Sequence, residues 1–182
     1  GLAEVFIGPK STRVPFNNSE VTTLDFSDQD LGPAEIMLIS AAITTTPGMV
    51  KVVLSMNECF GTYKEDDSIY HAEPGEDEYS EDGWNTLCEA IKGSGIQKLG
   101  FADIGLGPIG MKTLADAIPT IPGVVEVVIS QNKCFGERYG RHAMPGQDEF
   151  NTEGFNAFCD ALRSSNVQRL NFADIGLGST RV

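Results

Sequence analysis

Two histidines with nearby carboxylates are the residues of this chain whose types and spacing most resemble a metal-binding or catalytic site. Each histidine precedes an aspartate and a glutamate by six and seven residues, in the sets His71, Asp77, Glu78 and His142, Asp148, Glu149. Imidazole and carboxylate groups bind transition metals and act together in acid–base catalysis. One histidine in each copy is too few for either role by itself, so we expect no metal site and interpret the acids as solvated surface groups.

Calcium is the alternative that the acidic residues leave open. Residues 65–67 (Glu-Asp-Asp) and 76–78 (Glu-Asp-Glu) together would supply the dense oxygen ligands that calcium needs. EF-hand spacing is absent from the sequence, so this hypothesis describes a calcium-dependent structural module built on the acidic insertion. We otherwise expect the protein to need no cofactor.

The common enzyme signatures are absent from the sequence. It contains no P-loop, no H-E-x-x-H and no G-x-S-x-G, and we expect no dinucleotide-binding G-x-G-x-x-G that opens a helix. Gly105-Leu106-Gly107 recurs with the repeated stretch at residues 96–107, and we interpret it as part of the loop between the strand and the helix of each repeat. We therefore expect a protein that is not an enzyme and has no catalytic residue.

Two long loops of one sequence are the candidates for partner binding. Residues 71–84 (HAEPGEDEYSEDGW) and 142–155 (HAMPGQDEFNTEGF) share a histidine, a Pro-Gly turn, an Asp-Glu pair and aromatic residues at the same positions. We expect one conformation for both, with Tyr79 and Phe150 tucked down onto the repeat. Long loops on a rigid scaffold commonly carry function. The alternative is that these loops only cover a helix face.

A repeated twelve-residue stretch must position these loops. Residues 96–107 (IQKLGFADIGLG) return as 167–178 (VQRLNFADIGLG), and 21–32 (VTTLDFSDQDLG) are a looser copy. Apolar residues stand at positions 1, 4, 6 and 11 of each copy, and two further segments that begin at Met49 and Val124 keep the same frame. This is the spacing of a leucine-rich repeat.

Each repeat predicts one short strand followed by one helix. Positions 4 and 6 lie two residues apart and so point to the same face of a strand. A second apolar set follows, for example at offsets of 3, 6 and 7 from Met111, which indicates a helix with one buried face. A strand and a helix of this size cannot bury their apolar faces alone, so neighbouring repeats must stack.

The chain is interpreted as one leucine-rich-repeat domain over residues 1–182. Residues 1–20 are predicted to be an N-terminal cap that adds a strand to one end of the stack. The fifth repeat has no helix, so its open end would permit end-to-end self-association. The predicted repeats are 21–48, 49–95, 96–123, 124–166 and 167–182, with insertions at 62–83 and 137–154.

Residues 21–182 resemble the ribonuclease-inhibitor-like class of leucine-rich-repeat proteins, because five strand motifs and four helix motifs keep phase. The resemblance implies an α/β fold, a right-handed leucine-rich-repeat solenoid with short parallel strands on the concave side and α-helices on the convex side. It also implies a protein-binding module or scaffold, since GTPase-regulating and cytoskeletal scaffolds are known uses of this repeat class.

Position 9 of the repeat departs from the pattern of that class. The class prefers Asn or Cys there, where the side chain bonds backbone groups of the loop. Asn57 and Asn132 match, and Gln29 is tolerable, whereas Ile104 and Ile175 cannot make such bonds. We therefore expect no continuous polar ladder along the repeats.

The outward strand positions would form the concave face, and they hold no aromatic residue. Interface hot spots are enriched in Trp, Tyr and Arg, so Arg169 is the exception among these positions. We place the partner on the loops, on the concave face, or on both. Residues 180–182 (Thr-Arg-Val) also match a short C-terminal ligand for sheet-edge peptide capture. The candidate partner-binding residues are Tyr63, Tyr70, His71, Glu76, Asp77, Glu78, Tyr139, His142, Asp148, Glu149 and Arg169.

Charge and composition restrict the partners further. The net charge is −13 at pH 7 with most of the excess in residues 62–83, so DNA, RNA and anionic lipid would be repelled. No apolar run approaches the roughly 18 residues of a membrane span, and we identify no signal peptide. We expect a cytoplasmic protein whose partner is another protein.

The four cysteines follow the repeat, since Cys59 matches Cys134 and Cys88 matches Cys159. No C-x-x-C pair is present, which argues against a zinc site. We interpret all four as small buried hydrophobic residues with reduced thiols. Two equivalent disulfides within the repeats are the alternative.

Overall fold

Helices and short strands alternate along the chain in the computed structural model, which describes residues 3–65, 68–138, 141–145, 147–148 and 150–176. A 3₁₀ turn at Ile118–Thr120 extends the third helix. The elements are β1 (Glu4–Ile7), β2 (Thr12–Pro15), β3 (Thr23–Asp25), α1 (Pro33–Thr45), β4 (Lys51–Val53), β5 (Thr62–Glu65), β6 (Ser68–His71), α2 (Asp82–Ile91), β7 (Lys98–Gly100), α3 (Pro108–Ala117), β8 (Glu126–Val128), β9 (Glu137–Arg138), β10 (Arg141–His142), α4 (Glu153–Arg163) and β11 (Arg169–Asn171).

One parallel sheet organises the fold, and its strands β3, β4, β7, β8 and β11 lie side by side in chain order. The register joins the same repeat position from strand to strand. Position 4 of each repeat forms one row, which contains Leu24, Val52, Leu99, Val127 and Leu170. The repeat spacing therefore predicted both the strands and their register correctly.

The core lies between this sheet and the helices. Leu99 and Phe101 of β7 and its continuation are fully buried, as are Leu106 after the strand and Met111 and Leu114 of α3. These are the strand, loop and helix positions that the repeat pattern predicts to face inward. None of the helices in the described part of the chain is both long enough and apolar enough to cross a membrane.

The helices pack in pairs. Helix α2 lies against α1, and α4 lies against α3, more extensively than α3 lies against α2. A Cβ atom on Gly83 would overlap the carbonyl oxygen of Pro33, and one on Gly154 would overlap that of Pro108. Glycine at the start of α2 and α4 therefore lets these helices approach the N-terminal ends of α1 and α3 more closely than any residue with a side chain would allow. The structural unit is one short repeat followed by one long repeat.

Asn57 joins the first repeat to the second. Its side-chain Nδ2 donates to the carbonyl oxygens of Phe26 at 2.7 Å and Leu54 at 2.8 Å. Its Oδ1 accepts from the backbone N–H groups of Gln29 at 3.1 Å and Leu31 at 3.0 Å. One buried amide thus satisfies the loop backbone of two repeats.

Asn132 repeats this arrangement between the third and fourth repeats. Its Nδ2 donates to the carbonyl oxygens of Phe101 and Ile129, and its Oδ1 accepts from the N–H groups of Ile104 and Leu106. Because the asparagine of each long repeat serves the short repeat before it, Ile104 can fill the core. The expected break in the polar ladder is confirmed, and the paired repeats explain it.

In the described part of the chain, three antiparallel hairpins lie outside the parallel sheet: β1–β2, β5–β6 and β9–β10. The prediction that the N-terminal segment adds a strand to the stack is wrong, because β1 pairs with β2 instead. A polar turn at residues 8–11 follows β1 and returns the chain antiparallel onto it. The two later hairpins open the insertions of the long repeats.

The β11 end of the sheet leaves apolar side chains uncovered among the described residues. Phe172 is 41% exposed, whereas Phe101 and Phe26, at the same repeat position, are 0% and 3% exposed. In the earlier repeats the next strand and helix cover this position. Residues 177–182, which include the Thr-Arg-Val sequence noted above, lie outside the described residues.

Candidate functional site

The two insertions have one conformation in their described parts, as their common sequence predicts. We name residues 61–80 the first insertion loop and residues 136–151 the second insertion loop. The N–H of Ala72 donates to the carbonyl oxygen of Gly61, and the N–H of Ala143 donates to that of Gly136, both at 2.9 Å. These bonds close each hairpin at its base and fix its direction relative to the repeat.

Side chains stabilise the turn that follows each hairpin. The N–H of Glu73 donates to Oε2 of Glu76 at 2.7 Å, and the N–H of Met144 donates to Oε1 of Gln147 at 2.7 Å. Glu76, a predicted partner-binding residue, therefore has a structural role in its turn. Gly75 has φ of +107°, a conformation that favours glycine; its counterpart Gly146 lies outside the described residues.

Aromatic stacking fastens each loop to its own repeat. The rings of Phe60 and Tyr79 stack at 5.9 Å with an interplanar angle of 11°, and those of Phe135 and Phe150 stack at 5.5 Å and 7°. Burial, with the nearby Glu81 carboxylate, raises the pKa of the Tyr79 hydroxyl above its usual range. The predicted tucking of Tyr79 and Phe150 onto the repeat is confirmed.

A side chain just before each following helix accepts the backbone N–H of the first helical residue, while the N-cap positions themselves are Glu81 and Thr152. Oγ of Ser80 accepts the N–H of Asp82 at 3.3 Å, and Oδ1 of Asn151 accepts the N–H of Glu153 at 2.7 Å. Asp82 and Glu153 are the first residues of α2 and α4, so each loop ends in a bond to the helix that it leads into. The loops are therefore held at both ends.

Each histidine contacts an aspartate of the next repeat. Nε2 of His71 lies 3.3 Å from Oδ1 of Asp103, and Nε2 of His142 lies 3.2 Å from Oδ1 of Asp174. Nδ1 of both rings is buried with no hydrogen-bond partner among the described residues. The spacing within each loop predicted neighbouring carboxylates of the same loop, whereas the aspartates that contact the histidines belong to the next repeat. Their signal was the Asp-Ile-Gly sequence that recurs after the strands of the third and fifth repeats.

Glycine makes room for each histidine ring. An added Cβ on Gly105 would lie 3.1 Å from the ring of His71, and one on Gly176 would lie 2.8 Å from Nδ1 of His142. Gly105 and Gly176 also have φ of +77° and +86°. In the Asp-Ile-Gly sequence the aspartate thus supplies a hydrogen-bonding carboxylate, the isoleucine a core side chain, and the glycine the space that the histidine ring occupies.

The N-terminal hairpin contacts the first repeat in the corresponding place. Nζ of Lys10 lies 3.1 Å from Oδ2 of Asp30 and 2.6 Å from the carbonyl oxygen of Asp28. The hydrogen bond to Asp30 is the main cause that raises the pKa of Lys10. The three hairpins of the described residues therefore contact the loops that follow the strands of the first, third and fifth repeats.

A cleft of about 350 Å³ separates the two insertion loops. Its floor is the loop at residues 105–109 of the third repeat, and its walls are the insertion loops and the loop that follows β8. Among the described lining residues, carboxylates outnumber ammonium groups by three to one. The charged residues are Glu73, Asp103, Asp148 and Lys133, and the apolar ones include Pro74, Tyr79, Pro108 and Ile109.

The floor also has the spacing G-x-G-x-x-G at residues 105–110 and leads into α3, so the expectation that no such spacing opens a helix is wrong. Such a spacing occurs in dinucleotide-binding loops. Here close packing explains the glycines: a Cβ on Gly110 would lie 2.7 Å from the ring of Phe60, and Gly105 seats His71. The carboxylates beside this floor oppose a bound phosphate, and Pro108 removes one N–H from the helix N-terminus.

The candidate partner-binding residues divide by location. His71 and Asp148 line the cleft from opposite loops. Tyr70, at 36% exposure, and the exposed acids Asp77 and Glu78 lie on the outside of the first insertion loop. The side chains of Tyr63, Tyr139 and Glu149 lie outside the described residues.

Arg169 lies on the sheet face, apart from the insertion loops. Its Nη2 lies 2.9 Å from Oε2 of Glu126, whose other oxygen pairs with Lys98. The hydrogen bonds from Lys98 and then Arg169 hold the pKa of the Glu126 carboxyl below its usual range. The one predicted anchor on this face is therefore part of an ion-pair row.

No group of three or more metal-binding side chains comes together among residues 3–65, 68–138, 141–145, 147–148 and 150–176. The calcium hypothesis depends on Asp66 and Asp67, which lie outside these ranges.

All four cysteines are free, with Cys59, Cys88 and Cys134 buried and Cys159 partly buried. Burial raises the pKa of Cys134 to about 12 and that of Cys59 and Cys88 still higher. Reduced thiols with small apolar surroundings agree with the interpretation from the repeat.

A parallel sheet with a helix after each of its first four strands defines a mixed α/β protein with a leucine-rich-repeat-like fold. The chain is similar to the solved structure of leiomodin-1 actin-binding site 2, with 9% identity and a TM-score of 0.59, over 86% of this chain and 72% of that one. It is also similar to the tropomodulin C-terminal domain of Caenorhabditis elegans, with 11% identity and a TM-score of 0.60, over 88% and 78%. No family model and no curated protein sequence matches the chain.

These structures correct the assignment to the ribonuclease-inhibitor-like class, which is wrong. The repeat spacing reports where a short strand and an amphipathic helix bury their side chains, and that requirement is common to leucine-rich-repeat folds. The spacing therefore predicted the strands and helices but could not distinguish one class of these folds from another. At identities near 10% the similarity concerns the fold alone.

Proposed function

We propose that this chain is a non-catalytic protein-binding module of the cytoskeleton and that its partner is actin. The observation that carries the protein-binding role is the edge formed by the two insertion loops, which are held in place and expose apolar side chains. The choice of actin rests on the fold that the chain has in common with an actin-binding site of leiomodin-1. We also propose a cytoplasmic location, which agrees with four free cysteines.

We further propose that the repeats form a right-handed solenoid. The strands are parallel and follow chain order with a helix after each of the first four, and such crossovers are nearly always right-handed. Neighbouring strands lie about 4.8 Å apart, whereas packed helices need about 8–10 Å. The helical side must then be longer than the sheet side, which places the strands on the concave side.

The insertion-loop edge has the surface chemistry of a binding site. Ile69 is 66% exposed and Tyr70 36% on the first insertion loop, and Met144 is 48% exposed on the second. Ile109, at 41% exposure, lies between them on the floor of the cleft. Exposed aromatic, methionine and aliphatic side chains on an ordered edge are typical of protein interfaces.

The sheet face offers less to a partner. Its charges pair with one another, as in Lys51 with Asp25 at 3.1 Å and Arg169 with Glu126. It has no aromatic residue at the outward strand positions. A partner on this face would have to replace existing ion pairs, so we assign the main contact to the loops.

Catalysis is not part of the proposal. The two His–Asp contacts join a loop to the next repeat, a structural role that accounts for both histidines. The sequence lacks the hydrolase and nucleotide-hydrolysing motifs named above. Both observations favour a binding module.

The experiment that tests this proposal measures binding to purified actin, as monomer and as filament, by sedimentation and by surface-immobilised titration. The test variant carries Ile69→Ser and Tyr70→Ser on the first insertion loop. The control carries Met37→Ser and Leu38→Ser, which replace similarly exposed apolar residues on α1. We expect the intact chain and the control to bind and the loop variant to lose at least about tenfold in affinity.

A loop-shortened chain provides a second arm. Residues 62–79 and 137–150 are each replaced by a short glycine-serine link, which the fold permits because the N–H of Ser80 donates to the carbonyl oxygen of Phe60 at 3.0 Å. Thermal unfolding establishes that each variant is folded. Failure of the intact chain to bind either monomeric or filamentous actin would refute actin as the partner. Equal binding by the intact and loop-shortened chains would place the contact on the sheet face instead.

Self-association is a second candidate function, favoured by the exposed Phe172 beside β11. A second copy that stacked on this end would cover the ring as the following repeat covers Phe101. Light scattering over a hundredfold range of concentration should then give a rising mass that Phe172→Ser abolishes. A constant monomer mass would exclude this role.

A further inference from the structure

We propose that the cleft between the two insertion loops binds an arginine side chain presented by an exposed segment of the protein partner. This inference rests on the proposed protein-binding function and names the chemistry that the cleft recognises. It assigns the occupant by charge complementarity, apolar surroundings and size.

The cleft follows from the alternation of repeat lengths. The second and fourth repeats carry insertion loops, and the short third repeat between them contributes only a floor. Equivalent points of the two loops are two strands apart in the sheet, which is about 10 Å. Gly107 leaves the space above the floor open, because a Cβ there would meet no atom of the described residues within 4 Å.

The charges of the lining select a cation. Acidic residues line the cleft on three sides: Glu73 on the first insertion loop, Asp148 on the second, and Asp103 in the loop that follows β7. Lys133 contributes the ammonium group among the described lining residues, and it has an interaction partner within the protein. Oδ1 of Asp103 contacts His71, which fixes the direction of this carboxylate in the cleft. An anionic ligand would meet three carboxylates, whereas a cation gains charge-assisted hydrogen bonds from them.

The apolar part of the lining favours arginine over lysine. Tyr79, Pro108 and the 41% exposed Ile109 present apolar surface beside the carboxylates. A guanidinium is planar, weakly hydrated and able to stack on aromatic or proline surfaces while it donates to carboxylates, and its methylene stem covers apolar side chains. A lysine ammonium would lose more hydration in the same place.

The volume sets the size of the occupant. About 350 Å³ is near the lower end of the range of ligand sites. It suits one long side chain with part of a neighbouring residue, and it excludes a folded domain. The partner must therefore present its arginine on a loop or an extended segment.

The experiment uses the full ¹⁵N-labelled chain and two short peptides of sequence acetyl-Gly-Ala-Leu-X-Leu-Ala-Gly-amide, with arginine or citrulline at X. Citrulline has the shape of arginine without its charge. We expect the arginine peptide to shift the amide resonances of Gly105, Gly107 and Asn151, and the citrulline peptide to bind at least about tenfold more weakly.

Two matched variants locate the effect. Asp148→Asn removes a carboxylate of the cleft, and Asp77→Asn removes an exposed acid of the first insertion loop that does not line it. We expect Asp148→Asn to weaken the arginine peptide by about three- to tenfold and Asp77→Asn to leave it unchanged. Equal binding of both peptides, equal effects of both variants, or no cleft shifts at millimolar peptide would overturn the proposal.

The result separates this inference from the proposed function. If actin binds through Ile69 and Tyr70 while the arginine peptide fails, the module binds protein and the cleft is not its contact. If the peptide binds and actin does not, the arginine site stands and the partner is a different protein.

Discussion

His71 and Asp103 lie 32 positions apart in the chain, and Nε2 of the histidine is 3.3 Å from Oδ1 of the aspartate. This contact joins the insertion loop of one repeat to the strand-following loop of the next. His142 and Asp174 repeat it at 3.2 Å. Each insertion loop is therefore fixed to the next repeat at the base of its hairpin, where His71 pairs with Thr62 and His142 with Glu137, in addition to the bonds within its own repeat.

The first prediction concerns Gly105, which packs against the ring of His71. Gly105→Ala should destabilise the protein by about 1–2 kcal/mol for the positive φ, and by at least about 1 kcal/mol more for the contact of its Cβ with His71. Gly93→Ala is the matched control, because Gly93 has φ of +67° and open space around it. Urea unfolding measures both free energies.

A double variant isolates the ring contact. In His71→Ala with Gly105→Ala, the added cost of Gly105→Ala should fall to that of Gly93→Ala, because the methyl group no longer meets the ring. Equal losses in Gly105→Ala and Gly93→Ala with His71 present would show that the ring does not constrain this position.

The sequence predicted what depends on short, regular spacing. The row that contains Val52, Leu99 and Val127 follows directly from position 4 of the repeat, because parallel strands of equal phase align equivalent residues. The packing of Tyr79 against its own repeat, where it stacks on Phe60, was also predicted, since the two insertions have the same aromatic positions. In both cases one local pattern determines one structural feature.

The partners of the histidines were not predicted, for a physical reason. The direction of the His71 side chain depends on how its hairpin packs against the neighbouring repeat. The spacing of residues within the loop does not determine the orientation of the hairpin relative to that repeat. Comparison of repeats offered a clue: Asp-Ile-Gly follows the strands of the third and fifth repeats, each preceded by a repeat with a histidine-bearing insertion. The cleft was missed for the same reason, because it exists only between two loops.

The second prediction concerns Asn132, which bonds the loop backbone of two repeats. Asn132→Ala should lower the free energy of unfolding by roughly 3 kcal/mol or more, because buried carbonyl and N–H groups lose their partner. Asn156→Ala on the exposed face of α4 is the control and should change stability by less than about 0.5 kcal/mol. Urea unfolding at pH 7 measures both, and similar values for the two variants would contradict the bridging role.

The third prediction concerns pH and the ion-pair row of the sheet face. Hydrogen bonds from Lys98 and Arg169 lower the pKa of Glu126 in the folded protein below its ordinary value of 4.5. A lowered folded-state pKa contributes stability that is present above pH 4.5 and is lost as the pH falls through the folded value. Glu126→Gln should therefore cost less than about 1 kcal/mol at pH 7, since the side chains of Lys98 and Arg169 are 39% and 66% exposed and water screens both pairs.

The test is the difference in unfolding free energy between the intact chain and Glu126→Gln, followed from pH 7 downward. That difference should shrink below pH 4.5 and disappear once Glu126 is protonated in the folded state. A difference that stays constant from pH 7 to pH 3 would mean that packing, and not the charge of Glu126, accounts for the loss.

The last prediction concerns the thiols. Burial keeps Cys59, Cys88 and Cys134 protonated by raising their pKa values, whereas Cys159 is partly exposed on α4. Because the thiolate is the reactive form, a disulfide reagent such as Ellman's should react with one thiol of the native protein at pH 8 and with all four after unfolding in urea. Cys159→Ser should remove the fast reaction and leave three slow thiols. Two reactive thiols after unfolding, or none, would instead establish disulfides within the repeats, because oxidised cysteines do not titrate until they are reduced.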